Sequence, residues 1–224
     1  MTAIEPVRKK IASTSYIKKQ SASLRLWHWA NAIIISGSLI TVLINSTITD
    51  RQPTASLIKT EIQKAGASIT AKQASSAANA LEDRVWAVHI YFGYALAALL
   101  LFRLVLEFFQ LADQKFIRRI RITYEHFQTT KAKRENARHE LTVKTIYAVF
   151  YMLLIIMVLT GLFLAFEDAL AAYKSIRPGV KRVHGFCMYL ILAFIFVHLA
   201  GVFLAERKES AGIVSDMING GKAH

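Results

Sequence analysis

The sequence predicts an all-α membrane protein in which four transmembrane helices form a bundle. The chain has 224 residues, of which 54% are hydrophobic although 28 are Lys or Arg. Apolar and charged residues are segregated into four long apolar runs separated by polar loops. Each run has about the ~20 residues that a helix with a ~1.5 Å rise needs to cross a ~30 Å hydrocarbon core.

The predicted spans lie within a transmembrane domain of residues 24–206. In chain order they cover residues 24–45, 85–109, 143–166 and 183–205. A basic segment, residues 1–23, precedes the domain, and a tail, residues 207–224, follows it. The first run could be confused with a secretory signal, but it is longer than a typical signal core and no small-x-small cleavage site follows it. We therefore expect it to remain as a helix.

Basic residues are distributed unequally between the two sides of the predicted bundle. Lys and Arg number 17 in the amino-terminal segment, the second loop and the tail, against nine in the first and third loops. Because membrane proteins keep an excess of Lys and Arg in cytoplasmic loops, both termini are predicted to be cytoplasmic. The formal net charge of +13 therefore needs no nucleic-acid partner to explain it.

Two loops and the single cysteine carry weaker patterns. The first loop, residues 46–84, has helical spacing that predicts a short amphipathic helix over the mouth of the bundle, with a solvated spacer as the alternative. Its apolar positions are Ile58, Ile62, Ala65 and Ile69. The second loop, residues 111–141, indicates contact with anionic lipid headgroups or, alternatively, a docking surface for a cytoplasmic partner. Cys187 lies in the fourth span and is predicted to be a packing residue.

Four of the seven histidines lie inside the apolar runs, where ionisable residues are rare and usually face the bundle interior. They are His28, His89, His184 and His198. His28 is flanked by Trp27 and Trp29, so an aromatic belt at the membrane face is an alternative explanation for it. Each of the others, taken alone, is equally explained as a hydrogen bonder between helices.

Spacing and depth group these histidines into two pairs. His184 and His198 are 14 residues apart, so they lie within about 40° of one helix face and about 21 Å apart along the axis. His28 has the depth of His198, and His89 has the depth of His184. Two pairs at two depths are what two six-coordinate haems in a four-helix bundle need. Zinc sites fit poorly because no Cys or carboxylate cluster completes four ligands.

Arg103 lies 14 residues after His89, on the same face but at the depth of the inner pair. A buried guanidinium needs an anion, and a haem propionate would supply one. Pairing with Glu107, or snorkelling to the interface, is the alternative. Gly93 and Gly201 would let a flat macrocycle approach the backbone, and close helix packing explains them equally well.

Several short segments carry a resemblance to a known family. They are Arg25-Leu-Trp-His28-Trp29, His89-Ile-Tyr-Phe-Gly93-Tyr94, Thr160-Gly161, Arg182-Val-His184 followed by His198, and the tail from Gly212 to Gly220. With these segments the chain resembles the bacterial cytochrome b561 superfamily, which includes the membrane b subunits of nickel-iron hydrogenases and formate dehydrogenases. The resemblance extends over all four predicted spans.

The resemblance implies two haems b and an electron-transfer function in the bacterial inner membrane. It implies that His28 and His198 hold the cytoplasmic-side haem iron, and that His89 and His184 hold the periplasmic-side one. It further implies a quinone-linked oxidoreductase subunit with periplasmic hydrogenase or dehydrogenase partners, or a stand-alone quinone oxidoreductase. Candidates for the quinone site, on proximity alone, are Arg25, Arg103 and Glu206. From the residues alone, a non-redox anchor or a proton or ion transport module is the alternative.

Overall fold

The structure is a computed structural model that describes residues 22–109, 134–207 and 212–220, without the side chains of 107–109, 134–140, 143 and 213. Within these ranges the chain forms six α-helices and one 3₁₀ helix. They are α1 (Ala22–Thr47), α2 (Arg51–Lys64), α3 (Ala71–Phe109), α4 (Arg134–Ala165), the 3₁₀ helix (Ala171–Ile176), α5 (Arg177–Arg207) and α6 (Ile213–Asn219). The predictions for the basic amino-terminal segment and most of the second loop concern residues outside these ranges.

Four of the helices, α1, α3, α4 and α5, are long and apolar enough to cross a membrane. The predicted all-α bundle of four spanning helices is therefore confirmed. The helices extend beyond the apolar runs, most of all α3, which begins at Ala71 rather than near residue 85. The intervening residues contain neither Gly nor Pro and include several Ala, so the helix continues where the apolar run has ended.

Large apolar side chains cover the outside of the bundle. Phe196 is 75% exposed, Leu26 73% and Tyr91 70%. Such a surface suits contact with lipid rather than with water. The interior holds a smaller apolar core to which all four spanning helices contribute. Its buried members are Ile35, Leu96, Leu100, Leu153, Leu154, Cys187 and Ile191. The position of Cys187 in this core confirms the predicted packing role.

Close backbone packing joins α1 to α3, α3 to α4, and α4 to α5. Gly37 shows how near α1 and α3 approach, because a Cβ atom at this position would lie 2.5 Å from the Phe92 ring. Small residues at helix interfaces commonly allow such approach in membranes. Within the described part of the chain, the close packing of α5 is therefore mainly on α4.

Much of the first loop is helical. The helix α2 contains Ile58 and Ile62 of the predicted amphipathic pattern and ends before Gly66, whose φ of +80° is the left-handed conformation typical of a helix terminus. The remainder of the loop forms the first turns of α3, against which α2 packs. Ala74 and Ala78 are 1% and 0% exposed. The loop is therefore a helical hairpin and not a solvated spacer.

The helix α6 is attached where α1 begins and α5 ends, which we call the lower end of the bundle. The indole Nε1 of Trp29 donates to the carbonyl oxygen of Met217 at 3.1 Å. The Glu206 carboxylate accepts hydrogen bonds from the backbone N–H groups of Gly212 and Val214 at 2.7 and 3.4 Å. A carboxylate at a helix amino terminus is favourable because the N–H groups there lack partners within the helix. Glu206 therefore fastens α6 to α5.

Candidate functional site

The four intramembrane histidines lie in two pairs, one towards each end of the bundle. The ring centroids of His28 on α1 and His198 on α5 are 6.1 Å apart. The ring centroids of His89 on α3 and His184 on α5 are 6.4 Å apart. These are the same pairings that spacing and depth predict. We call the first the lower pair, and the second, near the start of α5, the upper pair.

Each separation suits a metal ion shared by two imidazoles. The distance between the ring centres is then the sum of two metal–nitrogen bonds of about 2 Å each and, in each ring, the distance from the ligating nitrogen to the ring centre. This sum is about 6 Å. The described residues contain no group of three or more His, Cys, Asp or Glu side chains that could hold a metal ion. A metal between either pair would thus take two ligands from the chain and the others from a bound group. A haem iron has that requirement.

Two cavities adjoin the upper pair. One, of about 470 Å³, extends along α3 and α4, and the other, of about 230 Å³, extends along α1 and α5. The side chains common to both linings include His89, His184, Trp86, Leu96 and Met157. Gly93 borders the larger cavity, and a Cβ atom there would meet nothing within 4 Å. Space on two sides of an imidazole pair fits a flat macrocycle ligated by both rings.

Hydroxyl groups orient both rings of the upper pair. Nδ1 of His89 lies 2.9 Å from Oγ1 of Thr41, and Nδ1 of His184 lies 2.9 Å from Oγ1 of Thr160. The residue after Thr160 is Gly161, where a Cβ atom would lie only 3.2 Å from Cε1 of His184. Thr160 therefore forms a hydrogen bond with the His184 ring, and the lack of a side chain at Gly161 leaves space for that ring.

Charged side chains lie at the upper end of the larger cavity. The Arg51 guanidinium donates to Glu82, and this hydrogen bond raises the pKa of Arg51 above its ordinary value. The Nη2 atom of Arg177 donates to the carbonyl oxygen of Leu164 at 3.0 Å and to Glu167 at 3.1 Å. Its Nη1 atom is buried without a hydrogen-bond partner among the described residues. An anion in the cavity would accept the hydrogen bond that this Nη1 atom lacks.

Sequence reasoning missed the cations that accompany His184. Arg177, Lys181 and His184 follow one another at intervals of four and three residues on α5 and all line the larger cavity. Residues at such intervals share one helix face. That spacing could have indicated their common face. In the sequence analysis, however, Arg177 and Lys181 enter only the count of basic residues in the third loop.

Aromatic contacts surround the lower pair. The ring of Phe194 stacks on His198 with centroids 5.9 Å apart and an interplanar angle of 6°, and Phe150 stacks on Phe194 at 4.3 Å. Trp29 meets the His28 ring edge-on at 5.4 Å. Nδ1 of His28 is buried and has no hydrogen-bond partner in the described part of the chain. The lower rings therefore rest largely on apolar packing, in contrast to the upper ones.

Arg103 lies on α3 beside an aromatic pair near the lower end. Its Nε atom donates to the Tyr151 hydroxyl at 3.2 Å, and its Cζ atom is 5.9 Å from the Trp27 ring centroid. The Trp27 and Tyr151 rings stack with centroids 5.6 Å apart. The alternative pairing with Glu107 concerns a side chain outside the described residues. The guanidinium thus faces into the bundle, where a cation over an aromatic ring is stabilised by the ring electrons.

An apolar layer separates the two pairs. Ile191 lies midway between His184 and His198 on α5, seven residues from each, and is 3% exposed. Leu154 of α4 is fully buried, at 0%, and Ile35 of α1 is 9% exposed. Over about 21 Å of helix, the chain therefore places imidazoles at both ends of a buried aliphatic section.

Comparison with known proteins adds a family to this geometry. The prokaryotic cytochrome b561 family matches residues 19–220. No curated protein and no solved structure matches the chain significantly. The matched range includes the four spanning helices, both histidine pairs and α6. The family consists of membrane b-type cytochromes involved in electron transfer, which bind haem b. Because the match extends over nearly the whole chain, this protein belongs to the prokaryotic cytochrome b561 family.

Proposed function

We propose that the chain is a di-haem cytochrome that transfers electrons across the membrane between a redox partner and the quinone pool. The observation that carries this proposal is the presence of two imidazole pairs, with centroids 6.1 and 6.4 Å apart, at two depths of one bundle. His28 and His198 would hold the lower haem, and His89 and His184 the upper one. When bound, haem b supplies a reversible one-electron couple.

The other residues of the sites have distinct tasks in this proposal. Arg177 and Lys181 would bind the carboxylates of the upper haem, because both line its cavity and Nη1 of Arg177 has no hydrogen-bond partner within the described ranges. Arg103 would bind the carboxylates of the lower haem. The buried aliphatic side chains around Ile191 would offer protons and ions no polar path between the two sites.

The ends of the electron path rest on charge and on the family. The excess of Lys and Arg on the side of both termini supports a cytoplasmic lower end and a periplasmic upper end in a bacterial inner membrane. The family is typically associated with quinone and with partner subunits. We propose a periplasmic hydrogenase or dehydrogenase subunit as electron donor and quinone as acceptor. Glu206 is not part of the proposed quinone site, because its carboxylate caps α6.

The first experiment is an optical spectrum of the purified chain with a pyridine haemochromogen assay. We expect reducible b-type bands and two haems per chain. A protein without a reducible b-type band would refute the redox function and leave the non-redox anchor or transport module. With a quinol as the only reductant, we expect the bands to become reduced. No reduction by quinol would contradict the quinone step and leave haem binding intact.

Single histidine substitutions test the pairing. His198→Ala should remove mainly the lower haem and His184→Ala mainly the upper one, because each variant lacks one of the two histidines that would hold that haem. His139→Ala, outside the four apolar runs, is the matched control and should retain both haems. The proposed pairing is wrong if either of the first two variants keeps two low-spin haems.

A further inference from the structure

Two threonines make the same combination of hydrogen bonds at the upper pair. The hydroxyls of Thr41 on α1 and Thr160 on α4 each donate at 2.6 Å to a carbonyl oxygen in the preceding turn of their own helix. A hydroxyl has a single proton, so a threonine that donates in this way can only accept from its second partner. We therefore assign the proton of the second hydrogen bond to the imidazole Nδ1 atoms of His89 and His184, each 2.9 Å away.

A second acceptor at His89 agrees with this assignment. The backbone carbonyl oxygen of Ser38 lies 3.3 Å from Nδ1 of His89, and a carbonyl oxygen can only accept. With the proton on Nδ1, a neutral imidazole has its lone pair on Nε2. Both upper histidines thus present Nε2 as the atom able to bind a metal ion, and the rings cannot flip without losing hydrogen bonds.

The same hydrogen bonds affect the strength of the ligand. An acceptor on the second ring nitrogen of a metal-binding histidine raises the basicity of the imidazole. A more basic ligand stabilises the more highly charged, oxidised iron relative to the reduced iron. At the lower pair Nδ1 of His28 has no acceptor among the described residues, and stacking on Phe194 positions His198. Among the described residues, acceptors therefore face Nδ1 of both imidazoles at the upper site, whereas Nδ1 of His28 at the lower site has none.

We propose that Thr41 and Thr160 are positioning residues that set the tautomer of the upper histidines and thereby lower the reduction potential of the upper haem. The inference rests on the proposed function, since it requires haem between His89 and His184. Neither threonine touches the metal in this proposal. Each acts through the imidazole to which it is hydrogen-bonded.

The test is a redox titration of the holoprotein and of two variants, Thr41→Val and Thr160→Val, which keep the approximate shape of the side chain and remove the hydroxyl. We expect two haems in each variant and a shift of one of the two titration waves to higher potential. The same wave should move in both variants. The larger shift is expected for Thr160→Val, because at His89 the Ser38 oxygens remain as acceptors at 3.3 Å.

Two other threonines provide matched controls on the same helices. Thr47 on α1 and Thr145 on α4 also donate to carbonyl oxygens of their own helices, at 2.6 and 2.9 Å, but they are exposed. Thr47→Val and Thr145→Val should leave both waves and the low-spin electron paramagnetic resonance signals unchanged. Thr41→Ser and Thr160→Ser retain the hydroxyl, so both should titrate like the wild type.

The possible outcomes separate this inference from the proposed function. A wild type without haem refutes the proposed function itself. Two haems with both waves unmoved in either Val variant, or equal shifts in the Thr47 and Thr145 controls, overturn the role of the threonines. If a Val variant loses the upper haem, its Ser counterpart decides: retention of that haem supports the inference, and loss overturns it.

Discussion

Gly161→Ala is a minimal perturbation of the upper site, since it adds one methyl group against the ring of His184. The new Cβ atom would lie 3.2 Å from Cε1 and 3.8 Å from Nδ1 of that ring. Ordinary van der Waals contact begins near 3.4 Å, so the ring has to move by a few tenths of an ångström. It has little freedom to do so, because Nδ1 is hydrogen-bonded to Thr160 at 2.9 Å.

The expected cost follows from two opposing effects. Overpacking a filled site lowers the stability of a protein by about 1–3 kcal/mol, and replacing Gly by Ala inside a helix raises it by about 0.5–1 kcal/mol. Most of the cost arises in the haem-bound state, where His184 would also be held by the iron. A net loss of about 1.4 kcal/mol corresponds to roughly a tenfold weaker affinity for the upper haem. We expect the lower haem to be unaffected.

The assay is the transfer of haem from the purified variant to an excess of apomyoglobin. Gly161→Ala should release one of its two haems about tenfold faster than the wild type and the other at the wild-type rate. Gly179→Ala on α5 is the control, because a Cβ atom there meets nothing within 4 Å. If Gly161→Ala released both haems at the wild-type rate, the reasoning that the His184 ring cannot move aside would be refuted.

Three further predictions concern packing, the α6 cap and the cavity cations. Gly37→Ala forces a methyl group into the Phe92 ring and should lower the stability of the chain in detergent by about 1–3 kcal/mol, measured by thermal unfolding; unchanged stability would show that the ring moves freely. Glu206→Gln should weaken the α6 cap by about 1 kcal/mol and speed hydrogen exchange in α6. Equal exchange in variant and wild type would contradict that role. Arg177→Gln should release the upper haem about tenfold faster, whereas Lys174→Gln, which changes an exposed cation outside the cavity lining, should not. Equal release rates for these two variants would exclude Arg177 as the carboxylate anchor.

The general architecture and the grouping of the histidines could be predicted because a membrane imposes simple geometry. Hydrocarbon thickness sets the length of each span, and position along a straight helix translates directly into depth. Two histidines 14 residues apart on one span therefore predict two sites, and the depths of His28 and His89 predict their partners. The ends of the helices could not be predicted in the same way. Hydropathy reports contact with lipid, whereas α3 begins 14 residues before its apolar run.

The sequence by itself determined the number of spanning helices, their family and the residues able to pair, because each follows from hydropathy, motif or periodicity within one segment. Only the tertiary structure decided which groups surround the imidazoles. Nothing in the sequence assigns Thr41, Thr160 or Arg177 to the upper pair, and they reach it only when α1, α4 and α5 pack together. Hydrogen bonds reach only about 3 Å, so their partners depend on how helices far apart in the sequence are rotated against one another.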